Sequence, residues 1–508
     1  MVRVLGIVMA CCGLISSCGS SKICQHGDVQ ACICPGARWA AQTCRDDREG
    51  WNACSCAEIE PPPPPPPPPD EPVVIPDTYV FDSRFGDGTS VNYPGQTFRH
   101  VLSHDFIAYI EDELGSDVES GFLDPAAGDV GSVLRFFFEF DGGADGSSNH
   151  AITLDLPAVQ VTYDDVATNK DLRGKIAGND EPGPHRDFDT ELIGWPGVAG
   201  ATEMIETWFV ALEELALAHA EDTPPLDPTG APIEPIYVDA EGRDYAALLS
   251  SFLNGALSMS QGLDDYLDDD TDNHGLNNPN QSSGTAWSRL EHQWDEGFGW
   301  FGAARDFGDR SPMANAGGEL LRPVVAMDSN SDGEIDLWSE ASFGAAVLAA
   351  RRDAETGGDL GQRAYDAFLE GRAIIHHHAG SALPDEARAR MLELRDEAAA
   401  AWEEAVVATI IASLNRVIRE IEAPTPSFEV QARAWSRMKG HLMALQFTPR
   451  GRIARADLIA IHDAIGDAPV LTADAVTTLL SVRDELATIY AFDAADVGDA
   501  NGRGGWGE

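Results

Sequence analysis

Several groups of residues in this chain have types and spacings suited to chemistry. The densest is LEHQWDEGFGWFG, residues 290–302. Wound as a helix, it places Trp287, Leu290, Trp294, Phe298 and Phe301 on one face, which reads as core. His292, Asp295 and Glu296 fall on a second stripe, with the imidazole and Glu296 one turn apart. Carboxylates crowded beside an imidazole need a proton, an arginine or a cation between them. Imidazole and carboxylate at i and i+4 suit iron, zinc or manganese as a half-site. Glu370 in FLEGRA and His441 in MKGHLMALQF are the candidates to complete it. The competing reading is a buried polar network that sets helix register, for which Arg372 is one candidate member. Gly297, Gly299 and Gly302 each weaken a helix by about 1 kcal/mol relative to alanine, which points to a close approach to the backbone there.

A second group is DSNSDGEIDLWSE, residues 328–340. Asp328, Asn330 and Asp332 offer oxygens at positions 1, 3 and 5 of an EF-hand-like loop, and Gly333 permits the sharp turn at position 6. Glu334 offers its backbone carbonyl at 7, Ile335 turns inward at 8, and Asp336 reaches the ion directly or through water at 9. Position 12 departs from the pattern: Ser339 stands there, and Glu340 follows one residue late. The expectation is one calcium ion, held more weakly than in a full hand or closed by Glu340 as a helix begins at Ser339. The flanks do not read as two amphipathic helices, so the loop is structural rather than a sensor. An acidic turn without an ion is the alternative. The run DDDTDN, residues 268–273, lacks the glycine and the later ligands and is discounted.

The remaining histidines carry less. His100 and His104 lie one helical turn apart, yet no H-E-x-x-H accompanies them, so they read as surface or capping residues. His376, His377 and His378 sit at an expected helix end, where cationic side chains complement the dipole. No G-x-S-x-G elbow, phosphate loop or dinucleotide fingerprint is present, and no cysteine follows residue 56 to act as a nucleophile.

The elements that must position these residues are mostly helical. Apolar periodicity predicts long helices over 384–422 and 427–447. Shorter ones are predicted over 96–114, 203–220, 244–261, 285–301, 339–354, 360–378 and 472–490, while VLRFFFEF suits strand or helix equally. The fold class expected is an all-α helical bundle, in one or two subdomains, over residues 77–490. Residues 491–508 have no periodicity and read as a loose tail.

The N-terminal region sets the expected compartment. Arg3 and the apolar run 4–15 are too short to span a bilayer but suit a signal peptide covering residues 1–17. LISSC resembles a bacterial lipobox, which implies cleavage before Cys18 and its lipidation; Gly19 then implies export to the outer membrane. Cys24, Cys32, Cys34, Cys44, Cys54 and Cys56 read as three disulfides in a module of residues 18–57, with 15 pairings open. That module resembles a small cysteine-rich unit found near the start of many myxobacterial surface proteins. Nine prolines, 61–69, follow within a spacer of residues 58–76, and as polyproline II they would span roughly 28 Å. With 84 acidic against 34 basic residues the formal net charge is −50, which repels nucleic acid and attracts cations.

The segment YVFDSRFGDGTSVNYPGQTFRHVLSHDFIAYI resembles the opening of the bacterial lipoproteins grouped as domain-of-unknown-function family 4856. LEHQWDEGFGWFG, DSNSDGEIDL, FLEGRA and AWSRMKGHLMALQFTPR continue the resemblance in order, over about residues 77–471. It implies an envelope-exported helical domain and no known activity. The His-acid helix is also distantly similar to imelysin-like proteins of iron uptake, whose motif sets a histidine and a glutamate three apart. Here that spacing gives Asp295, with Glu296 one further on. The function expected is a lipid-anchored binding protein of the cell envelope, associated with a metal such as iron or zinc and holding a structural calcium loop. Its expected partners are the membrane, through the anchor, and an outer-membrane receptor or envelope protein. A metal-dependent hydrolase or peptidase, and a structural or adhesion lipoprotein, are the alternatives.

Overall fold

Local sequence signals set where the helices start and stop. The computed structural model describes residues 29–34, 38–43, 45, 51–53, 72–140, 150–178, 185–317 and 321–507. The expected signal peptide, Cys18, Cys24, Cys44, Cys54, Cys56 and the proline run lie outside them. Two units are present, residues 1–65 and 66–508. The first contains an antiparallel hairpin of β1 (Val29–Cys34) and β2 (Arg38–Thr43), paired from Val29↔Thr43 to Cys34↔Arg38.

The second unit is helical. α1 (Pro94–Ala108) opens with a proline, whose missing N–H costs nothing at a helix start, and passes through a π-turn into α2 (Leu114–Glu119). VLRFFFEF resolves as helix in α3 (Asp129–Glu139) up to its last residue, Phe140, which caps the helix, and α4 (Tyr163–Val166) is a single turn. α5 (Ala201–Ala220) precedes α6 (Tyr245–Leu253), which runs on as a π-helical stretch, Asn254–Tyr266. α7 (Arg289–Phe301) carries the HQWDEGFGWFG stretch, and α8 (Pro312–Asn315) is short. α9 (Gly344–Thr356), α10 (Leu360–His377), α11 (Asp385–Ile421) and α12 (Phe428–Ala444) follow in close sequence. α13 (Arg455–Ile465), α14 (Val476–Tyr490) and α15 (Ala494–Val497) complete the chain.

α11 is the spine. Asp385 and Glu386 in its first turn suit the positive end of the helix dipole. Its Met391, Leu394, Ala398, Trp402 and Ala405 are buried, and it packs against α9, α10, α12 and α14. Trp208, Trp294, Trp300, Trp402 and Trp435 are all buried in the core. Burying a large apolar side chain contributes up to about 3 kcal/mol, so this aromatic set is a major source of cohesion. The body forms one compact unit, where one or two subdomains were open from the sequence.

Two segments differ from expectation. The helix predicted from Ser339 begins at Gly344, because Ala341–Phe343 forms β4 and pairs antiparallel with β3 (Val324–Ala326). Three-residue strands are too short to show a period. The expected loose tail is folded over its described part: Trp506 is 3% exposed and packs edge-on against Phe492. Asn415, buried on α11, donates from Nδ2 to the carbonyls of Val497 and Trp506. Tertiary hydrogen bonds hold this segment, so it needs no apolar period.

Candidate functional site

The stripe on α7 is built around an arginine. Ser288 caps the helix by accepting from the Glu291 amide, and Glu291 in turn accepts from the Ser288 amide at 2.7 Å. That fixes Glu291 at the first turn, one turn before Asp295. α10 inserts Arg372 between them. Its guanidinium donates to Asp295 Oδ1 at 2.7 Å, to Glu291 Oε1 at 2.8 Å and to Ser90 Oγ at 2.9 Å. Phe81 lies under the guanidinium at 4.8 Å. Asp295 also accepts from the Tyr79 hydroxyl at 2.9 Å and the Asn92 amide at 3.1 Å, and Glu291 Oε1 meets His376 Nδ1 at 3.0 Å.

Arg372, Asp295 and Glu291 have fully buried side chains. Burial alone would raise the Glu291 pKa, yet Arg372, His376 and the Ser288 amide hold it down at about 2. Burial raises Asp295 against the pull of Arg372. Burial also works against the Arg372 charge, but Asp295 and Glu291 raise its pKa above the ordinary arginine value. The arginine therefore takes the place between the carboxylates that a cation would otherwise need.

The other residues of the proposed half-site lie apart from this network. His292 Nδ1 meets the Asn92 carbonyl at 3.1 Å and its Nε2 is 3.7 Å from Glu296. Glu296 accepts from Gln96 at 3.2 Å. Glu370 pairs with Arg390 at 2.9 Å, and His441 Nδ1 meets the carbonyl of Arg437 on its own helix. Among the described residues, no three of His292, Asp295, Glu296, Glu370 and His441 bring ligand atoms within 4.8 Å of one another. The glycines of α7 do mark close approaches, but by the chain itself. A Cβ on Gly299 would meet Tyr93 Cβ at 2.8 Å, and one on Gly297 would meet Leu267 at 2.7 Å.

The loop of residues 328–340 joins β3 to β4. Asp328 Oδ2 accepts from the Gly333 amide at 2.9 Å and Asp328 Oδ1 from the Asp332 amide at 3.2 Å. Asn330 Oδ1 accepts from the Asp332 amide at 2.8 Å, and Asp332 Oδ1 from the Glu334 amide at 2.9 Å. Gly333 has φ +92°, a conformation that side chains with a Cβ rarely adopt, so the turn requires glycine there. Glu340 is 3% exposed and ties the loop's two ends together. Its Oε1 accepts from the amides of Ser329 and Asn330 at 3.0 and 3.3 Å, and its Oε2 from the Asp336 amide at 2.9 Å. Asp336 accepts from Gln160 Nε2 at 2.8 Å, the Trp338 amide at 3.0 Å and the Ser339 hydroxyl at 2.7 Å. Ile335 is buried, as position 8 requires, and lies in a parallel bridge with Ala158. These acids accept from backbone amides, the Gln160 side-chain amide and the Ser339 hydroxyl.

The base of the same ribbon walls a small histidine-lined cavity. His100 stacks on Phe343 with ring centroids 5.4 Å apart, and its Nε2 meets the Gly299 carbonyl of α7 at 3.0 Å. His104, His441 and Asn254 line the same cavity, which offers about 50 Å³. The buried Asn254 Oδ1 has no hydrogen-bond partner. Burial pushes the His100 pKa down to about 4 and, with Arg437 next in effect, the His441 pKa down to about 3. The surface reading of His100 is thus corrected. α1 buries it because a neutral imidazole can satisfy the Gly299 carbonyl while its ring fills apolar space.

One grouping has no fixed-spacing signal in the sequence. His185 meets Asp264 through Nδ1 and Asp270 through Nε2. His185, Asp268 and Asp270 bring ligand atoms within 4.8 Å of one another, the one such trio of His, Cys, Asp or Glu among the described residues. The loop carboxylates of residues 328–340 do not come that close in threes. Cations already reach this acidic run: Arg450 donates to Asp268 at 2.8 Å and to Asp269 at 3.0 Å, and Arg395 to Asp269 at 3.0 Å. The segment is distant in sequence from His185, so no local pattern could have joined them.

Residues 229–383 match a family model described as Domain of unknown function (DUF4856). The match takes in α7, the 328–340 loop and Arg372, and leaves α1 and α12 outside it. No curated protein and no solved structure matches the chain.

Proposed function

We propose that the protein is a lipid-anchored binding protein of the bacterial cell envelope whose helical body carries one structural calcium ion in the loop of residues 328–340. The observation that carries this reading is the agreement between ligand spacing and backbone at the loop. Asp328, Asn330 and Asp332 each accept amides from within the turn, and Gly333 takes the positive φ that position 6 of such loops needs. Calcium is the ion proposed because the donors are carboxylate, amide and carbonyl oxygens without nitrogen or sulfur. Glu340 acts as the closing residue in place of a glutamate at position 12. The LISSC sequence ending at Cys18 supports the anchor.

An iron or zinc site on α7 is not part of this reading, because Arg372 already neutralises Asp295 and Glu291. A metallo-hydrolase working from that stripe loses its support for the same reason. The test is a melting curve of the chelator-treated protein with and without calcium. At a concentration 100 times the dissociation constant, a bound ion adds about 2.7 kcal/mol of stability. We expect 1 mM calcium, but not sodium at equal ionic strength, to raise the melting temperature by roughly 2–6 °C. Asp328→Ala should remove that rise. An unchanged melting temperature, or the same rise in Asp328→Ala, refutes calcium binding by the loop.

A further inference from the structure

The charge of the chain is concentrated in acids, 84 against 34 basic residues, so a place where basic residues gather needs a cause. One such place lies where α9, α11 and α12 meet. A cavity of about 370 Å³ there is lined by Arg351, Arg352, Arg416, Arg433 and Arg437, and its one acidic lining residue is Glu355. That volume suits a small organic molecule. Ala412, Val430 and Ala434 supply an apolar part of the wall.

Arg433 is balanced from outside the cavity. It donates to Asp244 at 3.1 Å, to Glu111 at 2.7 Å and to the Tyr237 hydroxyl at 3.1 Å. Glu355 is shared instead. It accepts from Arg352 at 2.7 Å, lies 3.8 Å from Arg351 and also accepts the Gly507 amide at 2.9 Å. Arg416 lies 3.8 Å from Glu420. Arg352 is the telling residue: it is 2% exposed, and its buried Nε has no hydrogen-bond partner. A buried guanidinium N–H without an acceptor is costly, and repulsion from neighbouring guanidinium groups adds to that cost. Burial, with Arg351 opposing Glu355, lowers the Arg352 pKa to about 10. Planar guanidinium forks are the side chains best matched to two-oxygen groups such as carboxylate and phosphate.

We propose that this cavity binds a small oxyanion carrying two or more negative charges, a phosphate-bearing or multiply carboxylated molecule, with Arg352 as its buried anchor and Arg416 at its open side. The site is separate from the calcium loop and does not depend on it. The negative field of the whole chain would slow the approach of an anion, so the local cluster must supply the attraction.

Inorganic pyrophosphate and citrate are the probes, one for each oxyanion type, titrated calorimetrically at fixed ionic strength. Both chelate calcium, so the protein is first dialysed against a chelator, and Asp328→Ala is run in parallel to keep the loop out of the result. At least one probe should bind saturably, with a dissociation constant below about 1 mM. Arg416→Gln, half-exposed and outside the core, should weaken that binding by about tenfold or more while the unliganded melting temperature stays the same. Arg352→Gln should abolish it; if that variant does not fold, Arg416→Gln decides. The charge-matched surface variant Arg390→Gln should bind as wild type. The absence of saturable binding by either probe overturns the proposal, and so does equal weakening by Arg416→Gln and Arg390→Gln.

Discussion

Arg372 shows how much one side chain can organise. Every polar atom of its guanidinium has a partner, and it donates to two carboxylates on one face of α7 while an aromatic ring covers its plane. Removing one member of a buried ion network leaves the other charges stranded in low dielectric, at a cost of about 3–5 kcal/mol. Arg372→Met should therefore lower unfolding free energy by about that amount in urea titration, and Arg372→Lys should recover less than half, because an ammonium cannot fork between Asp295 and Glu291. A loss below about 1 kcal/mol in Arg372→Met would show that the network is not structural. The sequence placed His292, Asp295 and Glu296 on one stripe and offered Arg372 as one candidate member of a polar network with them. It did not bring Glu291 into that group, because a helix predicted from residue 285 put Ser288 in its interior; in the structure the same carboxylate caps α7 and pairs with Arg372. Glu370 and His441 were out of reach for another reason: spacing along the chain carries no information about which helices meet.

At the scale of elements, close contact replaces side chains at chosen points. The π-helical stretch after α6 turns Gly255 onto α12, where a Cβ would stand 2.3 Å from the Cα of Ala444. Gly371 of α10 meets the Trp294 ring in the same manner, at 2.1 Å. Backbone cannot yield as a flexible side chain can, so Gly255→Ala should cost at least about 1–3 kcal/mol by overpacking, although alanine is the better helix former. Gly86→Ala, which meets nothing within 4 Å, is the control. Equal unfolding midpoints for the two would contradict the packing. The long helices were legible from their apolar period, with α11 and α12 placed within a few residues of their observed ends. The β3–β4 ribbon was not, since three residues hold less than two periods of a strand. Nor was the C-terminal fold, whose support comes from Asn415 and the burial of Trp506 rather than from any repeat.

For the molecule as a whole, buried histidines contribute to the response to acid. Burial holds His100 at about 4, and His441 and His462 each at about 3, against an ordinary value near 6.5. All three are neutral when folded, whereas the unfolded chain protonates them below about pH 6.5. Their contribution to stability is complete above that pH and is lost progressively as pH falls towards 3–4. Glu403 acts in the opposite sense. Burial raises it to about 7, so its contribution is complete below about pH 4.5 and is lost as pH rises towards 7. Between pH 6.5 and 4.5, each buried histidine should add about 1.4 kcal/mol per pH unit to the slope of unfolding free energy. Urea titrations across that range should show the slope of His441→Gln reduced by about this amount; an unchanged slope would mean that His441 is already charged in the fold. This behaviour was hidden in the sequence, where thirteen histidines look alike until burial separates them.

The ribbon under the 328–340 loop has a consequence for how that region breathes. A surface loop of this length would ordinarily open by itself and trade its amide hydrogens with water at a rate set by local fluctuation. Here the Ile335 amide is held by the Pro157 carbonyl, the Val159 amide by the Ile335 carbonyl, and the Phe343 amide by the Gly302 carbonyl. Releasing any of these unseats a second stretch of chain, either residues 157–160 or the end of α7. The Ile335 and Phe343 amides therefore have no private route to solvent and exchange only when residues 157–160 or the end of α7 come away with them.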